Sequence, residues 1–149
     1  AQALLNDPGI LILDEPTAGL DPGERVRFRN LISSLGKDRM VLLSTHIVSD
    51  VDYIADEIMI MKQGKMIRRG TQRQLADSVG QIVWNCTVPE DNMEYFREKY
   101  IVSNIRNGEN KAELRIVSDR KPAPDALPAD TALEDIYLYL IRAEQEEEK

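Results

Sequence analysis

Four consecutive apolar residues, Ile10-Leu11-Ile12-Leu13, stop abruptly at Asp14-Glu15-Pro16. A short, wholly apolar run between Gly9 and a turn reads as a strand buried on both faces, the pattern of a parallel sheet covered by helices. Such a strand leaves its two acids at the carboxyl end, the edge where open α/β sheets bind ligands. Asp21-Pro22-Gly23-Glu24 then reads as a helix start. Asp21 suits the N-cap, Pro22 the first helical position, and Glu24 a capping box. Val26, Leu31 and Leu35 continue an apolar face, and Gly36 ends it. Met40-Val41-Leu42-Leu43 reads as a second buried strand, running into Ser44-Thr45-His46, and a short helix follows through Val48, Val51 and Ile54. Two β-α units with all-apolar strands indicate an α/β sheet.

Further on the style changes. Ile58 to Met61 and Lys65 to Ile67 flank Lys62-Gln63-Gly64, a hairpin with a glycine-containing loop. Thr71 caps a helix through Leu75 and Val79. Ile82, Trp84, Cys86 and Val88 alternate with other residues, as in a strand with one buried face. Met93, Phe96 and Tyr100 lie at helical spacing, and Ala112, Leu114 and Ile116 alternate again after an Asn107-Gly108 turn. The prolines at 122, 124 and 128 make the segment 121–128 a loop. Leu133, Ile136, Tyr137, Leu140 and Ile141 form one helical stripe. The expected organisation is an α/β half over 1–71, a linker helix over 72–81, and a small α+β domain of βαββα order over 82–149.

Composition narrows the function classes. The 149 residues carry a net charge of −7, of which −1 falls in residues 1–71 and −6 in the remainder. Neither half has the basic surplus of a phosphate-backbone binder, so no nucleic acid is expected as partner. A single cysteine, Cys86, excludes an intramolecular disulfide framework and reads as a core residue. No apolar run approaches the roughly 18 residues of a membrane span. Trp84, Tyr137 and Tyr139 read as packing residues, Arg25, Arg27 and Arg29 as a solvated helix face, and Glu144 to Glu148 as a frayed acidic helix end. Ala1 to Leu5 read as helix interior, so the chain is expected to be a fragment.

The chemistry gathers at one edge. Asp14 suits a magnesium ion, usually held through water, and Glu15 suits polarising an attacking water. The second strand delivers His46 to the same edge. Two carboxylates and a histidine at the mouth of a parallel sheet suit phosphoryl transfer to water, where positioning and charge neutralisation dominate. Adjacent acids also end strands as plain turns, and a lone histidine is more often structural. The continuation through Pro16 and Gly19-Leu20-Asp21-Pro22 weighs for function.

Those residues carry a resemblance. Leu11-Ile12-Leu13-Asp14-Glu15-Pro16-Thr17-Ala18-Gly19-Leu20-Asp21-Pro22 resembles the Walker B strand and D-loop of ATP-binding cassette (ABC) ATPases. Ser44-Thr45-His46 is similar to their switch-histidine segment, and the hairpin and Gly70-Thr71 to the end of that core. Leu133-Glu134-Asp135-Ile136-Tyr137 is similar to a motif near the C-terminus of drug- or antibiotic-type exporters. The resemblance implies a partial P-loop NTPase fold. It assigns Glu15 as general base, His46 as the γ-phosphate contact, Asp14 to Mg2+, and Asp21 to communication across a subunit pair. It also implies ATP as ligand, a second ATPase subunit (homo- or heterodimer), a transmembrane permease partner, and a place on the cytoplasmic face of the cell membrane. A Gly-x-x-x-x-Gly-Lys-Ser/Thr loop and a Leu-Ser-Gly-Gly signature are absent from the sequence. The expectation is therefore the hydrolytic half of a site without the phosphate cradle, inactive alone. The rival readings are an ATPase of a DNA-repair or chromosome-organising machine, and a non-catalytic interaction module.

Overall fold

A computed structural model describes residues 2–147. The chain divides into two compact units, Ala1–Asp56 and Glu57–Lys149.

In the first unit, β1 (Ile10–Asp14) pairs in parallel with β2 (Met40–Ser44), residue for residue from Ile10–Met40 to Asp14–Ser44. The connection contains α1 (Pro22–Leu35), started by Asp21, whose side chain accepts from the Glu24 backbone N–H at 2.8 Å. A single turn of helix, α2 (Val48–Val51), follows β2.

Burial corrects two expectations for this unit. β1 is buried on one face only: Leu11 is 4% exposed, but Ile10 and Ile12 are 61% and 68% exposed. Met40 and Leu42 lie opposite them in the register and are exposed too. The all-apolar strand is thus covered from one side among the described residues. The packing face of α1 also differs. Val26 and Leu31 are exposed, whereas Ile32 is buried and Arg25, Phe28 and Arg29 are half-buried at i, i+3, i+4 and i+7 spacing. Arginine stems cover apolar surface as aliphatic chains do, so Arg25 and Arg29 are not a solvated face; Arg27 is. Residues Gln2–Leu4 make one 3-10 turn rather than a continuing helix, and Ala1 lies outside the described residues.

In the second unit, β3 (Ile58–Lys62) and β4 (Lys65–Gly70) form an antiparallel hairpin. Its two-residue loop places Gln63 at φ +49° and Gly64 at φ +77°, the paired left-handed geometry that matches strand twist. Thr71 and Gln74 close a reciprocal capping box on α3 (Gln72–Val79). Then come β5 (Val83–Pro89), α4 (Met93–Lys99), β6 (Ile101–Asn107), β7 (Lys111–Val117), β8 (Leu127–Pro128) and α5 (Leu133–Glu147). The strands form an antiparallel sheet in the order β6-β7-β5-β8. From β5 onward the order is β-α-β-β-β-α, with β8 between β7 and α5. The segment 121–128 is not wholly loop, because Leu127–Pro128 pairs with β5, at the sheet edge where proline is tolerated.

The core of this unit joins Cys86 and Val88 of β5, Ala112, Leu114 and Ile116 of β7, and Phe96 of α4. Burial pushes the Cys86 thiol up from its ordinary value, and the charge of Asp125 adds to it. Leu133, Ile136 and Leu140 are buried along α5, as the stripe requires. The Trp84 indole N–H donates to the Ser118 carbonyl at 3.0 Å. Of the acidic run, Glu148 and the side chains of 144–147 lie outside the described residues.

Candidate active site

The site is built where β1 and β2 end side by side. Parallel register sets Asp14 opposite Ser44, and the Ser44 hydroxyl donates to the Asp14 carboxylate. One residue further, the Glu15 N–H donates to the Ser44 carbonyl at 2.9 Å, extending the ladder by one bond. Glu15 has φ +44°, left-handed for a residue with a side chain. That conformation costs on the order of 1–3 kcal/mol and is found where the surroundings impose it, often at functional sites. It turns the chain sharply, so that Asp14 and Glu15 engage different partners although they are neighbours.

Glu15 meets the segment after β2. Its Oε1 accepts from the His46 backbone N–H at 3.0 Å and lies 2.9 Å from the His46 Nδ1. Its Oε2 accepts from the Thr45 hydroxyl at 3.3 Å. A carboxylate accepts, so this contact is a hydrogen bond in the tautomer that carries its proton on Nδ1. Nε2 is then left as the second ring nitrogen, on a side chain that is 74% exposed. A carboxylate has about four acceptor positions. The bonds to Thr45 and His46 fix Glu15 and leave capacity for a water.

The loop from Glu15 to Asp21 is two consecutive turns. Ala18 N–H donates to the Glu15 carbonyl and Leu20 N–H to the Thr17 carbonyl, each at 3.2 Å. Pro16 presets the first turn, and Gly19 at φ +79° supplies the left-handed position of the second. Asp21, at the end of this loop, is occupied as the N-cap of α1. The structure therefore brings Asp14, Glu15 and His46 to one edge and places Asp21 at the far end of the same loop.

Sequence reasoning gave no role to Thr17 and Asp50. Both are buried, at 1% and 2% exposure, and the Thr17 hydroxyl donates to Asp50 Oδ2 at 2.5 Å. A signal was available: Asp50 interrupts the short stripe of Val48 and Val51, and an acid there needs either solvent or a partner.

No family model matches the chain. It is 37% identical over 105 residues to the ABC transporter ATP-binding protein YxlF of Bacillus subtilis, covering 70% of this chain and 36% of that protein. It is 43% identical over 79 residues to an ABC transporter ATP-binding protein of Nostoc, covering 52% of this chain and 24% of that protein. It is 30% identical over 164 residues to the Nod factor export ATP-binding protein I of Neorhizobium galegae, covering 98% of this chain and 45% of that protein. The chain thus spans less than half the length of these relatives. The residue motifs, the α/β fold that carries them and the relatives agree: the chain belongs to the ATP-binding cassette family of transporter ATP-binding proteins.

Proposed function

We propose that this chain supplies the hydrolytic edge of an ATPase subunit that powers export across the cytoplasmic membrane. The observation that carries the reading is Glu15, turned out of β1 and held by Thr45 and His46 at the end of β2. In this reading a water oxygen bonds to the γ-phosphorus of ATP and the bond to the bridging oxygen breaks. ADP leaves, and Glu15 takes the water's proton. His46 holds the γ-phosphate and the water in register. Asp21 serves communication with a second ATPase subunit, and the export name of the Neorhizobium relative supports a transmembrane permease as further partner. The subunit would sit on the inner face of the membrane; no helix among the described residues is long and apolar enough to cross one.

Asp14 offers one hard carboxylate beside the Ser44 hydroxyl. No group of three or more metal-type side chains gathers among the described residues. That donor set fits a Mg2+ ion bound largely by water and phosphate oxygens, which is how Mg2+ usually binds. It does not fit a dedicated protein cage. When bound, the ion would neutralise phosphate charge.

Residues 1–71 in this reading belong to the ATPase core, 72–81 link, and 82–149 form an accessory domain. The sequence lacks a glycine-rich phosphate loop with its lysine, so the chain alone is proposed to be inactive. The test uses a subunit that also contains such a loop. Glu15→Gln there should keep ATP binding and lower turnover on the order of 10²–10⁴-fold, and His46→Ala should lower it as well. Turnover of the Gln variant within about twofold of the unaltered protein would contradict the assignment.

A further inference from the structure

The contact between Glu15 and His46 is exposed, and exposed contacts between a carboxylate and an imidazole are not held by their own strength. The β1–β2 ladder sets the backbones as far as the Glu15 N–H bond to the Ser44 carbonyl; beyond that point the two segments need a further link to hold the side chains in place. The side-chain link between their two segments that is buried from solvent is the Thr17–Asp50 hydrogen bond. Thr17 lies two residues after Glu15, and Asp50 four residues after His46. Each arm is closed on itself. Ala18 N–H bonds back to the Glu15 carbonyl. On the other arm, Asp50 N–H bonds to the Ile47 carbonyl at 3.0 Å and Ile47 N–H to the Thr45 hydroxyl at 3.0 Å. Neither arm can swing without breaking a turn. From the exposed side, Arg29 of α1 donates to the Ser49 carbonyl at 3.0 Å and lies 5.9 Å from the Tyr53 ring centre, which fixes α2.

Stability alone gives little reason for this choice. A buried carboxylate costs desolvation free energy that an apolar pair of similar volume avoids. What a hydroxyl–carboxylate bond provides and apolar packing does not is a short, directional, fixed length.

We propose that Thr17 and Asp50 are positioning residues whose buried bond sets the spacing of Glu15 and His46. Its catalytic purpose rests on the hydrolytic reading above. Its geometric content does not, and the two can be tested apart.

His46 is the sole histidine of the chain, so its ring nitrogens are unambiguous in nitrogen-15 NMR of the full 149-residue protein. At a pH where the spectrum shows a single proton on the ring, the position of that proton reports the contact. In the unaltered chain the proton should reside on Nδ1. Thr17→Val, close in shape but without the hydroxyl, should transfer most of the population to Nε2. Thr17→Ser, which keeps the hydroxyl, should retain Nδ1. The amide pattern of the β1–β2 register should be the same in all three. An unchanged tautomer in Thr17→Val would overturn the proposal, and so would loss of the strand register together with the tautomer, which would make the bond a support of the sheet. In the subunit containing the phosphate loop, Thr17→Val should lower kcat by about tenfold to a hundredfold with KM little changed, the range expected when reacting groups are misplaced. If Glu15→Gln keeps full turnover there while the tautomer moves as stated, the hydrolytic reading falls and the positioning role stands.

Discussion

Asp135 takes four donated hydrogen bonds at 2% exposure: from the Ser103 hydroxyl, from Nε and Nη2 of Arg115, and from the Ala132 N–H. It fastens the start of α5 to β7 and β6. Removing one partner of a buried ion pair leaves the other charge uncompensated, at about 3–5 kcal/mol. Asp135→Ala should therefore lower the urea midpoint of the second unit by a corresponding amount, and an unchanged midpoint would show that the network contributes nothing. The sequence marks Leu133 and Ile136 on either side of this acid as core positions through their spacing. It gives no sign that Asp135 is buried between them, because the cause is Arg115, remote in sequence. Asp50 gives a weak sign, an acid beside Val48 and Val51, but its partner Thr17 lies on another segment. The placement of Asp14, Glu15 and His46 at one edge is legible because strand ends are visible in sequence, and a parallel register brings such ends together.

Elements whose signal is local came through with little change. The Asp21 cap, the Thr71 capping box and the Gln63-Gly64 turn each depend on residues within a few positions of one another. The stripe of α5 is equally local in origin, and it packs as its period requires. A charge placed in it, Leu140→Asp, would bury an unpaired carboxylate at a cost of several kcal/mol. The expected result is a markedly lower melting temperature for the second unit; a thermal transition unmoved by this change would mean that α5 does not rest on the sheet. The buried stripe of α1 is not legible from hydropathy because it contains arginines. Hydropathy assigns Arg25 and Arg29 to solvent, while their stems lie against the unit and Arg29 reaches the Ser49 carbonyl. β8 escaped notice because two residues are too few for any period, and prolines argue against a strand unless an edge is free.

At the scale of the whole molecule, the two units differ in how well their strands are covered. The second unit has a four-stranded sheet with helices and buried apolar clusters, beside the β3–β4 hairpin. The first has two strands, with Ile10, Ile12, Met40 and Leu42 exposed along one face. Two-stranded sheets are marginal alone. The candidate site lies at the ends of these two strands. It holds acids and a histidine, while nucleotide affinity in such proteins derives from backbone N–H groups of a glycine-rich loop, its lysine, and a helix N-terminus. Asp14, Glu15 and Asp21 by themselves are expected to repel a triphosphate. Isothermal titration of the 149-residue chain with Mg-ATP, up to millimolar concentration and beside a phosphate-release assay, tests this directly. No saturable binding and no release are expected. Saturation in the micromolar range, or phosphate release that Glu15→Gln abolishes, would contradict the reading of the chain alone as inactive.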